Sequence, residues 1–439
     1  MDCTTEQRKV IDAVINGSSI FLTGAGGTGK SFLLQTLYRE YTATGKKMAV
    51  TAMTGCAALL LQPIPAKTLH SWAGIGLGTC SFSTLVDNSV KNGRKKKVWR
   101  ETDCLVIDEV SMLTPELLDT LEKIGSIVRG GRRGNGGSSC FGGLQIVCIG
   151  DFYQLPPVKK EGVATSYVFE SPIWNKVIQE NFELKTIHRQ KESVFQQILH
   201  QARRGELCPE AQALLLERKM ISWKGQPIRP TLLFTRNMDV DEINQRNLEK
   251  LTGDIKTFEA ETIMPLGTLD KFIGKSSVPN NEVNMFISKL DKDAPYSVIL
   301  QLKEGAQVML LTNLEQERGL VNGSRGVVKG FTPEGFPLVK FLTTLEPIII
   351  KHHTWMTEKN IGRKQIPLRL AYALTIHKAQ GMSLDSALID IGPSTFEYGQ
   401  AYVALSRVRS LEALYIYEFD PKSFRVHPAV KKFYDSMNA

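Results

Sequence analysis

One short segment, residues 24–31, constrains this chain more than any other feature of its sequence. Its residues match the phosphate-binding pattern G-x-x-x-x-G-K-[ST] at every fixed position: Gly24, Ala25, Gly26, Gly27, Thr28, Gly29, Lys30 and Ser31. An apolar strand pattern precedes the segment, and a helix pattern follows it from Phe32. Glycines let backbone N–H groups turn toward phosphate oxygens, and a helix N-terminus adds a favourable dipole. The segment therefore predicts a nucleoside-triphosphate site rather than an ordinary glycine turn.

An acidic pair follows a second apolar strand pattern, residues 104–107. Phosphate-loop enzymes place a magnesium ligand at such a strand end, where Asp108 would join the hydroxyl of Ser31 in holding the metal. Glu109 would orient and deprotonate an attacking water, while Lys30 would reach the β- and γ-phosphates. The alternative is an acidic pair at a strand end with no chemical role.

Composition limits the number of domains and the class of protein that this chain can be. The 439 residues favour two to four domains, and a hydrophobic content of 42% is typical of globular proteins. No apolar run reaches the length of a membrane span, and the N-terminus lacks the pattern of a secretory signal. The seven cysteines stand singly, without zinc spacing, so we expect a reducing, intracellular setting.

Charge points to a polyanionic partner. The net charge is +9, and the segment 91–100 holds six basic residues and no acidic one. A second basic cluster contains Arg129, Arg132 and Arg133. A solvated surface is the alternative interpretation, and residues 94–97 also fit a nuclear-import signal.

The order of strand and helix patterns predicts an α/β protein. Strands and helices alternate through the first half, which is typical of a parallel sheet covered by helices. A second α/β region has strand patterns at 231–235, 387–391 and 414–417. Between them, short strand patterns at 308–312, 325–330 and 338–341 alternate with turn residues. These predict a small antiparallel barrel inserted in the second region.

Three further polar residues suit phosphate chemistry. Gln154, in a loop after the strand pattern 145–149, has an amide that could sense a γ-phosphate. Arg189 and Arg407 are isolated arginines among apolar neighbours, and a fixed guanidinium can neutralise charge on transferring phosphate oxygens. A structural ion pair is an equally good interpretation of each arginine.

Polar residues also follow strand patterns in both halves of the chain. Hydroxyl, imidazole and amine groups at strand ends suit contacts to a nucleic-acid backbone, although ordinary hydrogen bonding is the alternative. The candidates are Thr54, His70, Ser71, Thr375, His377 and Lys378.

Taken in order, these segments resemble the motif series of superfamily 1 helicases. The resemblance is closest to the petite-integration-frequency (Pif) family in superfamily 1B, and it extends from Gln7 to Arg409. Residues 5–7 resemble the Q motif, 24–31 motif I, 54–58 motif Ia, 67–71 the next DNA-contact segment, 108–109 motif II, 110–129 the family's signature segment, 141–157 the motif III region, 188–190 motif IV, 368–385 motif V and 402–408 motif VI.

The resemblance implies two RecA-like P-loop motor domains. The first would occupy 1–180, with a small wedge insertion within about 60–100. The second would combine 181–250 with 366–439, and a Src-homology-like small β-barrel would be inserted at 251–365. The resemblance also implies that Gln7 reads adenine, that Gln380 and Gly381 contact nucleotide, and that Pro156 contacts DNA.

The implied activity is an ATP- and Mg²⁺-dependent DNA helicase that translocates 5′→3′ on single-stranded DNA. Its partners would be single-stranded DNA and forks, with G-quadruplexes and RNA–DNA hybrids as further candidates. The implied roles are in replication, repair, recombination or telomere maintenance. We expect a monomer in solution, with no membrane partner.

Three alternatives stay open: a superfamily 1B helicase of the RecD or Dda type, an RNA helicase, and an ATP-gated binding scaffold that unwinds nothing. The chain begins at the Q motif and stops soon after motif VI, as in a minimal bacterial or viral enzyme or a helicase core. The expected location is the nucleus or mitochondrion of a eukaryote, or a bacterial cytoplasm.

Overall fold

The computed structural model describes most of the chain. The described residues are 3–61, 63–75, 86, 93–130, 140–157, 164–226, 228–235, 237–263, 287–288, 291, 294, 296–315, 318, 320–356 and 362–437. Lys91, Arg132, Arg133 and much of the expected wedge insertion lie outside them.

The chain forms two compact units, each assembled from separate stretches of sequence. The first unit contains Met1–Leu215, Ile391–Ser406 and Phe419–Ala439. The second contains Leu216–Asp390 and Arg407–Glu418. These bounds differ from those of the expected motor domains, because residues 181–215 and two stretches after residue 390 belong to the first unit. The motif-based boundaries stay a prediction.

Twelve α-helices are assigned among the described residues. They are α1 (Thr5–Ile15), α2 (Lys30–Ala43), α3 (Gly55–Leu60), α4 (Leu69–Ala73), α5 (Gly93–Glu101), α6 (Pro115–Arg129), α7 (Trp174–Val177), α8 (Ser193–Arg204), α9 (Pro209–Met220), α10 (Asn237–Glu249), α11 (Gln400–Leu405) and α12 (Pro428–Met437). Within this part of the chain, no helix combines the length and apolar character that crossing a membrane requires.

Local sequence explains where helices α1 and α6 begin. Thr4 caps α1, because its hydroxyl accepts the N–H of Gln7 while the Gln7 side chain accepts the N–H of Thr4. Thr114 caps α6 through its hydroxyl alone, which accepts the N–H of Leu117 at 3.3 Å, and Pro115 follows at the first helical position.

The first unit is built on a six-stranded parallel sheet with the order β3-β2-β4-β5-β1-β6. Its strands are β1 (Ile20–Gly24), β2 (Met48–Ala52), β3 (Lys67–Thr68), β4 (Cys104–Asp108), β5 (Gln145–Ile149) and β6 (Glu180–Leu184). Ile20 and Leu22 belong to one hydrophobic cluster and Phe21 to another, so both faces of the sheet are buried. The predicted parallel sheet is confirmed.

The second unit combines a parallel sheet with antiparallel ones. One sheet has the order β18-β7-β19-β20, in which β7 is parallel to both β18 and β19, and a five-stranded antiparallel sheet has the order β14-β13-β12-β11-β17. A three-stranded sheet β15-β16-β9 and the pair β10-β8 complete the described strands. Their bounds are β7 (Thr231–Phe234), β8 (Lys256–Glu259), β9 (Glu261–Ile263), β10 (Ile299–Leu302), β11 (Gln307–Leu310), β12 (Arg325–Phe331), β13 (Pro337–Phe341), β14 (Ile348–Ile349), β15 (His353–Met356), β16 (Gly362–Gln365), β17 (Leu368–Leu370), β18 (Ala373–Thr375), β19 (Ala387–Ile391) and β20 (Leu414–Phe419).

The antiparallel strands surround their own core, as expected for an inserted barrel. Val308, Val328, Val339 and Phe341 are buried in one hydrophobic cluster with neighbouring strands. β17 pairs with β11, although its sequence lies within the motif V region. The predicted α/β fold with an added small β-structure is thereby confirmed.

Candidate nucleotide-binding site

The phosphate-binding loop joins β1 to α2 in the first unit. Gly24, Gly27 and Gly29 have φ angles of 152°, 91° and 86°, a region that side chains rarely adopt. A Cβ added at Gly27 would lie only 2.6 Å from the Cβ of Arg189. Glycine is therefore required here both by the backbone conformation and by the close approach of the motif IV segment.

Two other predicted segments lie against this loop. The N–H groups of His188 and Arg189 donate to the carbonyl oxygen of Gly27, at 2.9 and 3.3 Å. A Cβ at Gly29 would lie 3.2 Å from Nε2 of Gln7. The Q-motif glutamine and the motif IV segment are thus both brought against this loop.

Lys30 is held within the loop by its own carbonyl groups. Its Nζ donates to the oxygens of Gly24 and Ala25, at 2.6 and 3.1 Å. Desolvation lowers the pKa of Lys30, and the nearby carboxylates of Asp151 and Glu109 oppose that effect. The ammonium group is therefore partly desolvated and lies among acceptors, where a phosphate would be a stronger partner.

The acidic pair lies at the same edge of the sheet as the loop. β4 is parallel to its neighbours and ends at Asp108, as β1 ends at Gly24. Burial and the adjacent Glu109 carboxylate raise the pKa of Asp108 to about 7. Glu109 itself has a φ of 53°, an uncommon backbone conformation that such sites often retain.

These residues fit a magnesium ion bound together with phosphates. Asp108 is a carboxyl group that a nearby cation would favour in its charged form, and Ser31 presents an exposed hydroxyl. Among the residues that the structure describes, no three His, Cys, Asp or Glu side chains form a metal cluster. Magnesium does not require one, because it keeps waters and phosphate oxygens as ligands.

A buried ionic network supports the motif III loop. Asp151 is fully buried and accepts from the Arg203 guanidinium, whose Nη2 is 3.0 Å from a carboxylate oxygen. Arg203 also pairs with Glu183 at 2.9 Å. The hydroxyl of Tyr434 lies 2.7 Å from Oγ1 of Thr23 and accepts the N–H of the residue after Asp151 at 3.1 Å.

No pattern in the sequence indicates this network. The Arg203 guanidinium lies over the rings of Tyr153 and Tyr434, 4.7 and 5.3 Å from their centroids. Tyr434 belongs to α12, after the last motif, and its partners are hundreds of residues away in sequence. The apolar spacing of 428–437 could have predicted an amphipathic helix, but not the surface on which it packs.

Helix α11 carries the start of motif VI and contacts three predicted segments. A Cβ at Gly399, which precedes the helix, would lie 2.7 Å from the carbonyl oxygen of Gln154. The hydroxyl of Tyr402 accepts the N–H of Gly26 at 2.8 Å. The carbonyl of Ser406 accepts from Nη1 of Arg189 at 2.9 Å. One short helix therefore contacts motif III, the phosphate-binding loop and motif IV.

Arg407, Gln380 and Gly381 belong to the second unit. Arg407 is buried, with Nη1 3.4 Å from the carbonyl oxygens of both Ala379 and Met382. Gln380 and Gly381 lie in the same turn, between these carbonyls. The nucleotide roles of all three stay predictions.

The predicted DNA-contact residues differ in exposure. In the second unit, His377 and Lys378 are exposed, whereas Thr375 is buried and its hydroxyl accepts the N–H of Lys378 at 3.3 Å. In the first unit, Pro156 is buried and Ser71 is exposed. These residues stay candidates.

Two further candidates lie at the edge of the first sheet that carries the loop. The hydroxyl of Thr54, which follows β2, accepts the N–H of Ala57 at 3.1 Å in the first turn of α3. His70 lies in α4, which begins where β3 ends. Thr54 thus has a structural role beside its predicted one.

Most of the basic segment 91–100 belongs to helix α5, which lies beside the DNA-contact segment 67–71. The ring of Trp99 in α5 packs against that of Trp72 in α4, with centroids 4.5 Å apart. Nζ of Lys95 donates to the carbonyl of Ser71 at 2.5 Å. Lys95 of this basic helix thus contacts the candidate residue Ser71, which follows His70 in the chain.

Comparison with known proteins identifies the family. The sequence profile of the PIF1-like helicase family matches residues 2–208, and that of the 2B domain of DNA helicase Pif1 matches residues 286–331. The crystal structure of Pif1 helicase from Candida albicans is 33% identical, with a TM-score of 0.77 and all of both chains covered. The chain belongs to the PIF1-like helicase family. The family predicted from the order of its motifs is confirmed.

Other relatives agree with this family assignment. The ATP-dependent DNA helicase PIF1 of Danio rerio is 38% identical over 98% of this chain. This chain spans only 63% of that relative's length. A structure of Pif1 helicase from Bacteroides in complex with ADP-AlF3 and ssDNA is 26% identical, with a TM-score of 0.67, and covers 100% of this chain and 98% of that one.

Proposed function

We propose that this chain is an ATP-dependent DNA helicase that translocates 5′→3′ on single-stranded DNA. One observation carries the proposal: Lys30, Asp108, Glu109 and Arg189 lie around a single phosphate-binding loop, and Gln154 adjoins the helix that contacts it. The family assignment and the nucleotide and ssDNA named for the Bacteroides relative support the same reaction.

We assign each residue a role in this reaction. Lys30 and the loop N–H groups bind the phosphates, and Glu109 orients and deprotonates the attacking water. Ser31 and Asp108 would hold a magnesium ion, which neutralises phosphate charge when bound. Arg189 and Arg407 stabilise charge on the transferring phosphate, and Gln154 senses the γ-phosphate. Gln7 reads the adenine base.

DNA would be contacted by the polar residues that follow strands in each unit. These are Thr54, His70, Ser71, Pro156, Thr375, His377 and Lys378. The basic helix α5 supports this assignment, because it places Lys95 against Ser71. Forks are the proposed substrates, and G-quadruplexes and RNA–DNA hybrids are further candidates.

If six to ten phosphates are neutralised, affinity for single-stranded DNA should fall steeply with salt. A plot of log affinity against log salt should have a slope of about −0.7 per phosphate, or about −4 to −7 in total. Fluorescence anisotropy of a labelled oligonucleotide at several salt concentrations measures this slope. A nearly flat response would exclude the electrostatic contact that we propose.

Unwinding of two partial duplexes tests the function directly. We expect ATP-driven separation of a duplex with a 5′ single-stranded tail and none of a duplex with a 3′ tail. Separation of only the 3′-tailed duplex would keep the motor but contradict its polarity. If neither duplex separates while DNA still stimulates hydrolysis, the chain is a translocase or an ATP-gated binding protein.

The alternatives are distinguished by the polynucleotide that activates hydrolysis. An RNA helicase would be stimulated by RNA at least as strongly as by DNA. The set Lys30, Glu109, Arg189 and Arg407 is complete, which favours a working ATPase over a scaffold. A RecD- or Dda-type enzyme is disfavoured by the PIF1-like family match.

A further inference from the structure

The phosphate-binding loop has an N–H group that is already used by another segment. The N–H of Gly26 donates to the hydroxyl oxygen of Tyr402 over 2.8 Å, the distance expected for a bond to a phosphate oxygen. Loops of this type direct their N–H groups at phosphates. Because one N–H makes one good hydrogen bond at a time, the Tyr402 hydroxyl and a phosphate oxygen are alternative partners for it.

Two observations favour the γ-phosphate as the group that meets this N–H. The inner phosphates bind at a helix N-terminus in such sites, here that of α2 at Lys30, and Gly26 lies four residues before that helix. The helix that carries Tyr402 also begins against Gln154, the proposed γ-phosphate sensor.

Tyr402 cannot move away on its own. Its side chain is 2% exposed, and all six residues of α11 are buried. One turn further along, the Ser406 carbonyl accepts from Arg189, and Arg407 is the next residue in the chain. A displacement of the Tyr402 hydroxyl would therefore displace α11, whose C-terminal end contacts Arg189 and precedes Arg407.

We propose that Tyr402 determines how this site distinguishes ATP from ADP. Its hydroxyl holds the Gly26 N–H when the bound nucleotide has no γ-phosphate, and a γ-phosphate oxygen replaces it. The exchange shifts α11, and this shift changes the position of Ser406 and Arg407 at the end of motif VI according to whether a γ-phosphate is bound. This inference rests on the proposed nucleotide site.

Replacing Tyr402 with phenylalanine tests the idea, since it removes the competing acceptor and keeps the ring. In Tyr402→Phe, the dissociation constant of β,γ-imido-ATP with Mg²⁺ should fall about 3- to 10-fold, as expected for one hydrogen bond. The dissociation constant of ADP should change less than about twofold. Isothermal titration calorimetry measures both values.

Tyr41→Phe is the matched control. Tyr41 is equally buried, and its hydroxyl donates to Oε1 of Gln145 at 3.0 Å, away from the loop. This variant should bind both nucleotides as the unaltered chain does. Equal shifts for the two nucleotides in Tyr402→Phe, or weaker binding of β,γ-imido-ATP, would overturn the proposal.

A second measurement needs no variant. In the unaltered chain, amide hydrogens of residues 400–405 should exchange faster with β,γ-imido-ATP than with ADP, because the helix gives up its contact to Gly26. Identical exchange would also overturn the proposal. A Lys30→Ala chain that binds nucleotide normally would instead contradict the nucleotide site itself, so the two failures are distinguishable.

Discussion

Replacing Lys30 with alanine should reduce ATP hydrolysis at least about 100-fold and abolish DNA unwinding. Removing one preorganised group that stabilises transition-state charge commonly costs 10²–10³ in rate. Lys30 is held by the carbonyl oxygens of Gly24 and Ala25 within the phosphate-binding loop, so its ammonium group is preorganised there. A coupled assay of DNA-stimulated phosphate release measures the effect.

Lys219→Ala serves as the control, because Lys219 is exposed near the end of α9. It should retain full hydrolysis and unwinding. Circular dichroism should show that both variants keep their helix content. ATPase activity retained in a folded Lys30→Ala chain would remove Lys30 from the proposed mechanism.

The second large effect is on stability. Replacing Asp151 with alanine should destabilise the first unit by about 3 kcal/mol, near the lower end for breaking a buried pair, because Glu183 still partners Arg203. The change also removes a partner of the Tyr434 hydroxyl. Differential scanning calorimetry should show a lower melting temperature for the transition of this unit.

A surface pair provides the comparison. Asp435 lies 3.8 Å from Arg204 with its side chain 66% exposed, so Asp435→Ala should cost about 0–1 kcal/mol. The triple variant Asp151→Leu, Arg203→Met and Glu183→Gln should recover much of the stability, because it leaves none of the three charges of the network. A single Asp151→Ala variant as stable as Asp435→Ala would show that the buried network contributes little.

Features specified by neighbouring residues could be predicted from the sequence. The phosphate-binding loop, the acidic pair at the end of β4 and the Thr114 cap each depend on a few adjacent side chains. The parallel sheet of the first unit follows from alternating strand and helix patterns. The inserted antiparallel strands follow from short apolar runs between turn residues such as Asn322 and Gly323.

Features that depend on distant partners could not be predicted. Nothing near Arg203 in sequence indicates that its guanidinium lies between two tyrosine rings, one of them Tyr434. The Gly26–Tyr402 hydrogen bond likewise joins residues whose separation of several hundred positions leaves no periodic pattern. Motif order predicted a functional role for the segments of Gly26 and Tyr402, but only the folded chain shows that these two residues meet.

The path of the chain has a consequence for synthesis on the ribosome. The first unit, which carries the phosphate-binding loop, takes its last helix from Pro428–Met437, and Tyr434 contacts Thr23 directly before that loop. The N-terminal sheet is therefore made long before the residues that complete its core. Such non-local contacts slow folding and leave apolar surface exposed meanwhile. We therefore expect nascent chains that have not yet reached residue 428 to expose apolar surface that chaperones bind.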